Sequence, residues 1–142
     1  MVRWLSTRLA GRVSAQDDIR RRSIGIVFSD GGLLALSAVR PAGAVGHGEE
    51  TVAAVLCGAD GAPVEASEVL LSTEYGEDGV QRRATLELWL EDEEGQPLRG
   101  AGTLISAARL DRDGLRADVA FFRWSLEGRD GLGHYEVQRA DG

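Results

Sequence analysis

Apolar and polar residues alternate along most of this chain, and Asp-Gly dipeptides interrupt the alternation at intervals. Between Val80 and Glu91, Ala84, Leu86, Leu88 and Leu90 share one face, while Gln81, Arg83, Thr85, Glu87 and Trp89 share the other. A helix would scatter both sets around its circumference, so the period of two predicts a half-buried strand. Leu115 to Leu126 alternates in the same way, with Phe122, Trp124 and Leu126 together. The dipeptides Asp30-Gly31, Asp60-Gly61, Asp78-Gly79, Asp113-Gly114 and Asp130-Gly131 supply the positive φ that tight hairpin turns need, and Glu94-Gly95 adds a looser turn. The strands predicted between them are Ser23–Phe28, Leu33–Val39, Thr51–Cys57, Ser67–Tyr75, Val80–Leu90, Leu98–Leu110, Leu115–Leu126 and Leu132–Arg139. Short strands at this spacing predict an all-β fold, a single antiparallel β-barrel over residues 19–142, with a β-sandwich as the alternative. Residues 1–18 read as an N-terminal arm or edge element: Leu5, Leu9 and Val13 recur at fourfold spacing, which suits a short amphipathic helix as well as a strand. Pro41 to Glu50, rich in glycine, reads as a loop.

A length of 142 residues fits one domain that buries a core without staples, and 43% hydrophobic with 27% charged residues is a globular balance. The lone cysteine, Cys57, has no internal disulfide partner, and arginines interrupt the apolar residues of the first fifteen positions, so no cleavable signal is expected and a cytoplasmic setting is. No apolar run approaches the roughly 18 to 20 residues that span a bilayer, so membrane insertion is not expected. The net charge of −7 argues against nucleic acid as a partner. Residues 1–40 hold seven arginines against Asp17, Asp18 and Asp30, a balance of +4, which leaves −11 for the rest. This asymmetry suits a homodimer in which the basic segment meets the acidic body of a second copy. All 16 basic residues are arginine, which together with the many glycines and alanines points to a GC-rich bacterial genome.

The last hairpin invites a register. A turn with Arg129 opposite Asp130 sets Trp124 opposite Tyr135 and Phe122 opposite Val137 on an apolar face. It sets Arg123 opposite Glu136, Ser125 opposite His134 and Phe121 opposite Gln138 on a polar one. The polar face is either the solvent side or a polar lumen. The run from Phe121 to Glu136, with Phe28-Ser29-Asp30-Gly31 upstream, resembles the closing half of the lipocalin-like carotenoid hydratase family, the hydroxyneurosporene synthase type and related fungal Diels-Alder cyclases. That family generally carries two lipocalin-like β-domains, and this chain resembles the second only, from about Ser23 onward. The resemblance implies a lipocalin-like barrel with a small apolar ligand, a polyene, polyketide or terpenoid, in its lumen. It implies cyclisation, isomerisation or hydration of that ligand, and a non-catalytic carrier or interaction domain is the alternative. It carries over no catalytic residues, because the companion domain is missing.

The residues themselves offer candidates for that chemistry. Glu136 beside Arg123 would stay ionised, whereas Glu87 or Asp118, turned inward, would have a raised pKa and could protonate an alkene. The candidate catalytic set is therefore Glu87, Arg123, His134 and Glu136, and the ligand-lining set is Trp89, Phe121, Trp124 and Tyr135, with Trp4 a further aromatic. Ser125 and His134 lack a nucleophile-elbow context. No metal and no cofactor is expected: His47 has no second histidine or cysteine at ligand spacing, Glu91-Asp92-Glu93-Glu94 lacks the EF-hand pattern, and no glycine cluster opens a helix to cradle phosphate.

Overall fold

The computed structural model describes residues 19–41, 50–90 and 95–140. They form eight antiparallel strands in chain order: β1 (Ile19–Phe28), β2 (Leu33–Val39), β3 (Thr51–Cys57), β4 (Pro63–Tyr75), β5 (Gln81–Leu90), β6 (Leu98–Arg112), β7 (Leu115–Leu126) and β8 (Arg129–Ala140). Each strand pairs with the next and β8 pairs back with β1, so the sheet closes into a barrel and the sandwich alternative is excluded. Closure removes the sheet edges that an open meander would leave. The expected arm over residues 1–18, Trp4, His47 and the acidic run 91–94 lie outside the described residues.

Side chains of one parity fill the lumen. Ile24, Ile26 and Phe28 from β1, Leu34 and Leu36 from β2, Leu86 and Leu88 from β5, and Phe122, Trp124 and Leu126 from β7 are all buried. Trp124 is the largest of them, and glycines make its room. A Cβ on Gly102 of β6 would lie 2.5 Å from the indole ring, and a Cβ on Gly133 of β8 would collide with the Gly25 carbonyl of β1. The Trp124 Nε1–H donates to the Gly133 carbonyl at 3.3 Å, satisfying a polar group that burial would otherwise strand.

Four of the five Asp-Gly dipeptides sit in turns, with Gly31, Gly61, Gly79 and Gly114 at φ between 79° and 94°. The fifth, Asp130-Gly131, does not turn; it is paired within β8. The last hairpin turns instead at Glu127-Gly128, both at positive φ (49° and 80°). A glutamate in that conformation is held by tertiary bonds: its amide donates to the Arg99 carbonyl at 3.0 Å, and its carboxylate accepts from the Arg99 amide at 2.7 Å. Leu126 therefore opposes Arg129, Trp124 opposes Gly131 and Tyr135 opposes Ala120, which corrects the pairing expected from a turn at Arg129-Asp130. The shift is an even number of residues, so each side chain keeps its expected face. Trp124 and Tyr135 stay on one wall, ring centroids 6.4 Å apart.

The seams of the barrel are unequal. β7 and β8 are joined along their whole lengths, whereas β3 and β4 share only the pairs Val55–Glu65, Leu56–Val64 and Cys57–Pro63. Beyond these, toward Thr51 and Tyr75, the ladder between the two strands is not continued.

Candidate functional site

The inward faces of several strands change character toward the end of the barrel where β1 begins and β8 finishes. On β1 the parity of Ile24 and Ile26 continues to Arg22, and on β2 that of Leu34 and Leu36 continues to Arg40. On β4 the parity of Leu71 continues to Thr73 and Tyr75, on β7 that of Phe122 to Asp118, and on β8 that of Tyr135 to Arg139. All of these are buried.

Two linked ion-pair groups organise this end. Asp118 takes three guanidinium groups: Arg109 Nε at 2.7 Å, Arg116 Nη2 at 3.1 Å and Arg139 Nη1 at 3.1 Å. Across the lumen, Arg22 forks onto Glu50, its Nε donating to Oε2 at 3.0 Å and its Nη2 to Oε1. Burial opposes the charge on Arg22, but the phenols of Tyr135 and Tyr75 and the Glu50 carboxylate outweigh it and hold the guanidinium above its ordinary value. Among the described residues of this cluster, four guanidinium groups meet two carboxylates.

Tyr135 joins the two groups. Its hydroxyl is 2.6 Å from Thr73 Oγ1 and accepts from Arg22 Nη1 at 3.4 Å. Gln81 braces the floor, its Nε2 donating to the Asp118 carbonyl at 3.1 Å and the Tyr135 carbonyl at 2.8 Å, while its Oε1 has no partner among the described residues. Tyr75 differs from Tyr135. Its ring lies under the Arg139 guanidinium, 5.2 Å from centroid to carbon, yet its hydroxyl is buried with no hydrogen-bond partner among the described residues. Burial first, and the neighbouring Tyr135 phenol second, push its pKa well above the ordinary phenol value, so the hydroxyl keeps its proton.

Residual access grades this end into two layers. Gln81, Asp118, Thr73, Tyr135 and Arg139 are 0–3% exposed, a sealed floor, whereas Arg22, Arg40 and Tyr75 each keep 8%. The hydroxyl of Tyr75 is itself buried.

The residues expected to carry chemistry lie mostly elsewhere. Glu87 points outward from β5 into a shallow surface groove with Leu70, Ser72 and Thr85, and accepts from Arg99 Nε at 3.0 Å. Arg123 is exposed on β7 opposite Leu132 rather than Glu136. His134 is exposed on β8 opposite Phe121, its ring over Gly25, and Glu136 faces outward and accepts from Gln138 Nε2 at 2.8 Å. Trp89 and Phe121 are also on the outer wall, Phe121 44% exposed. The polar face of the last hairpin is thus the solvent side. Only Trp124 and Tyr135 face the lumen; Trp124 packs in its apolar half and Tyr135 in its polar half. Arg22, Thr73, Tyr75, Gln81 and Arg139 were missed as inward groups, although extending each strand's apolar parity beyond its last apolar residue names every one except Gln81, which follows a register shift at the start of β5.

No protein-family model, no curated protein and no solved structure matches this chain.

Proposed function

We propose that the protein is a ligand-binding barrel that holds a small carboxylate at the arginine- and tyrosine-lined end of its lumen. The observation that carries this reading is the Tyr75 hydroxyl: a protonated, buried donor without a hydrogen-bond partner among the described residues, at the polar end of the lumen. An unsatisfied buried polar group costs about 1–3 kcal/mol, and buried ion pairs can commonly be exchanged for apolar residues without loss. A cluster kept against both costs has a use beyond holding the fold. The Arg22 fork indicates the preferred group, since it already grips a carboxylate, that of Glu50, in the two-pronged geometry that favours planar anions. Phe122, Trp124 and Leu126 at 0–2% exposure fill the apolar half along β7, which favours the polar half for the ligand body. The sparse β3–β4 seam, which ends on this side, offers a route in.

The test is a thermal-shift and calorimetric titration of the full chain with benzoate, decanoate and inorganic phosphate, beside native mass spectrometry of freshly purified protein. Carboxylates raise the melting temperature, and Tyr75→Phe, which removes only the hydroxyl, loses most of that rise. Failure of every carboxylate to shift melting, with no molecule co-purifying, overturns the reading.

A second reading extends the resemblance of the last hairpin to hydratases and cyclases. A phenol that stays protonated can polarise a carbonyl or carboxyl end of a conjugated ligand and so assist cyclisation or isomerisation. Incubation with retinoic acid followed by chromatography distinguishes the two: a catalyst changes the polyene and Tyr75→Phe does not, whereas a carrier returns it unaltered.

A further inference from the structure

Strand β6 overhangs its β5 neighbour. β6 pairs with β7 as far as Arg112–Leu115, but its pairing with β5 stops at Arg83–Thr103. The segment from Ser106 to Arg112 therefore presents one backbone edge with no ladder partner among the described residues, and every residue in it is exposed. The Arg109 side chain reaches the Asp78 carbonyl at 2.7 Å, but no backbone bond of the β4–β5 turn closes the edge. Leu110 at 61% and Leu115 at 49% exposure stand beside it on the outer face, lining a shallow hollow with Ala117 and Gln138. Natural sheets cover or blunt such edges, because an open row of amides and carbonyls is a template for another strand.

We propose that this edge pairs with the same edge of a second copy, joining two barrels through an antiparallel β6–β6 ladder centred on Leu110. The register follows from symmetry and charge. Two copies meeting by one edge are related by a two-fold axis normal to the sheet, so opposed residues share a face and one residue sits on the axis. Centring on Arg109 sets arginine against arginine, and centring on Asp111 sets aspartate against aspartate. Centring on Ala107 or Ala108 leaves Asp111 opposite Thr103 or Ile105. Centring on Leu110 sets Arg109 of each copy opposite Asp111 of the other, with Ala108 opposite Arg112. Directly opposed Cβ atoms in such ladders are about 4.5–5.5 Å apart, within reach of an ion pair. Leu110 then meets Leu110 of the other copy on the outer face, with Leu115 at its flank. The charges that discourage an arbitrary apolar strand are self-complementary in this one register.

Sedimentation velocity of the full chain across the micromolar range tests the proposal. The wild type sediments as a dimer. Leu110→Lys, an exposed position whose replacement leaves the barrel intact, and Asp111→Arg, which sets Arg109 against a second arginine, each raise the dissociation constant by about tenfold or more. Arg109→Glu weakens dimerisation alone, and mixing it with Asp111→Arg restores a heterodimer, since both opposed pairs are then of unlike charge. A wild type that stays monomeric throughout, or a dimer that both Leu110→Lys and Asp111→Arg leave unchanged, overturns the proposal. Those two variants decide it even if Arg109→Glu, which also loses Asp118, fails to fold.

Discussion

The two ends of the lumen are built on opposite terms. At the end closed by the β1–β2 and β7–β8 turns, Phe122 and Trp124 pack with centroids 5.1 Å apart among leucines and isoleucines. An external clasp finishes it: Arg129 forks onto Asp30 at 2.9 and 3.1 Å and lies 4.4 Å over the Phe28 ring. Among the described residues, no buried polar side-chain atom there lacks a partner. At the other end, among the described residues, four guanidinium groups share two carboxylates, and Gln81 Oε1 and the Tyr75 hydroxyl go unanswered. Both ends are buried, but only the first is arranged as stability alone would arrange it. The contrast separates a half that holds the fold from a half that is held by it.

Single truncations affect the two halves alike, and these are the largest effects expected. Trp124→Ala opens a cavity in the apolar half and lowers stability by about 3–5 kcal/mol. Asp118→Ala removes the buried carboxylate that Arg109, Arg116 and Arg139 share and lowers it by a similar amount, about 3–5 kcal/mol. Urea denaturation measures both. The comparison sharpens when both partners of the buried pair are exchanged. Asp118→Leu with Arg139→Met recovers most of the loss, because the desolvation cost disappears along with the attraction, while Arg109 and Arg116, less buried, turn to water. No such pair of changes rescues Trp124→Ala. A double variant as unstable as Asp118→Ala would mean that the cluster is needed for the fold, and the contrast between the ends would collapse.

Tyr75→Phe comes next in size and is opposite in sign. It deletes a buried hydroxyl that has no partner among the described residues, so the variant gains about 1 kcal/mol even as it loses carboxylate binding. The same residue sets an alkaline limit. Its folded pKa is raised above the unfolded phenol value of about 10, so its contribution is fully present below that pH and is lost as the pH climbs above it. Melting temperatures followed upward from pH about 9 fall less steeply in Tyr75→Phe than in the wild type. Equal slopes would mean that Tyr75 ionises as readily folded as unfolded.

What the sequence disclosed divides along the same line. The strands and their faces were legible, because alternation is strong wherever one face is apolar, as from Ala84 to Leu90 and from Phe122 to Leu126. Four Asp-Gly turns were legible because glycine there has a conformational reason. The Glu127-Gly128 turn was not, since a glutamate at positive φ is no local signal and its support comes from Arg99, distant in sequence. The polar end was hidden for a related reason. In Arg20-Arg21-Arg22 one arginine faces in, Arg22 on the parity of Ile24 and Ile26, but a run of three arginines has the look of a solvated face. Polar residues on an inward parity look like the surface until the barrel closes over them. Of the two carboxylates read on the condition of turning inward, Glu87 faces out and Asp118 faces in, as the receiver of three arginines.

The smallest effects belong to the outer wall, and they decide where the site is. Glu87, Arg123, His134 and Glu136 face water on β5, β7 and β8. The Glu87 ion pair with Arg99 is of the exposed kind that contributes under about 1 kcal/mol. Glu87→Gln, Arg123→Gln, His134→Ala and Glu136→Gln, each alone, change stability by no more than about 0.5 kcal/mol and leave carboxylate binding as it was. His134→Ala departs furthest from zero, since its ring covers the bare backbone of Gly25, where even a Cβ would collide with it. Binding that survives all four changes and fails in Tyr75→Phe keeps recognition inside the barrel mouth. Binding that survives Tyr75→Phe and fails in Arg123→Gln or Glu136→Gln would move it to the outer face of the last hairpin, and the unanswered Tyr75 hydroxyl would then have no ligand to explain it.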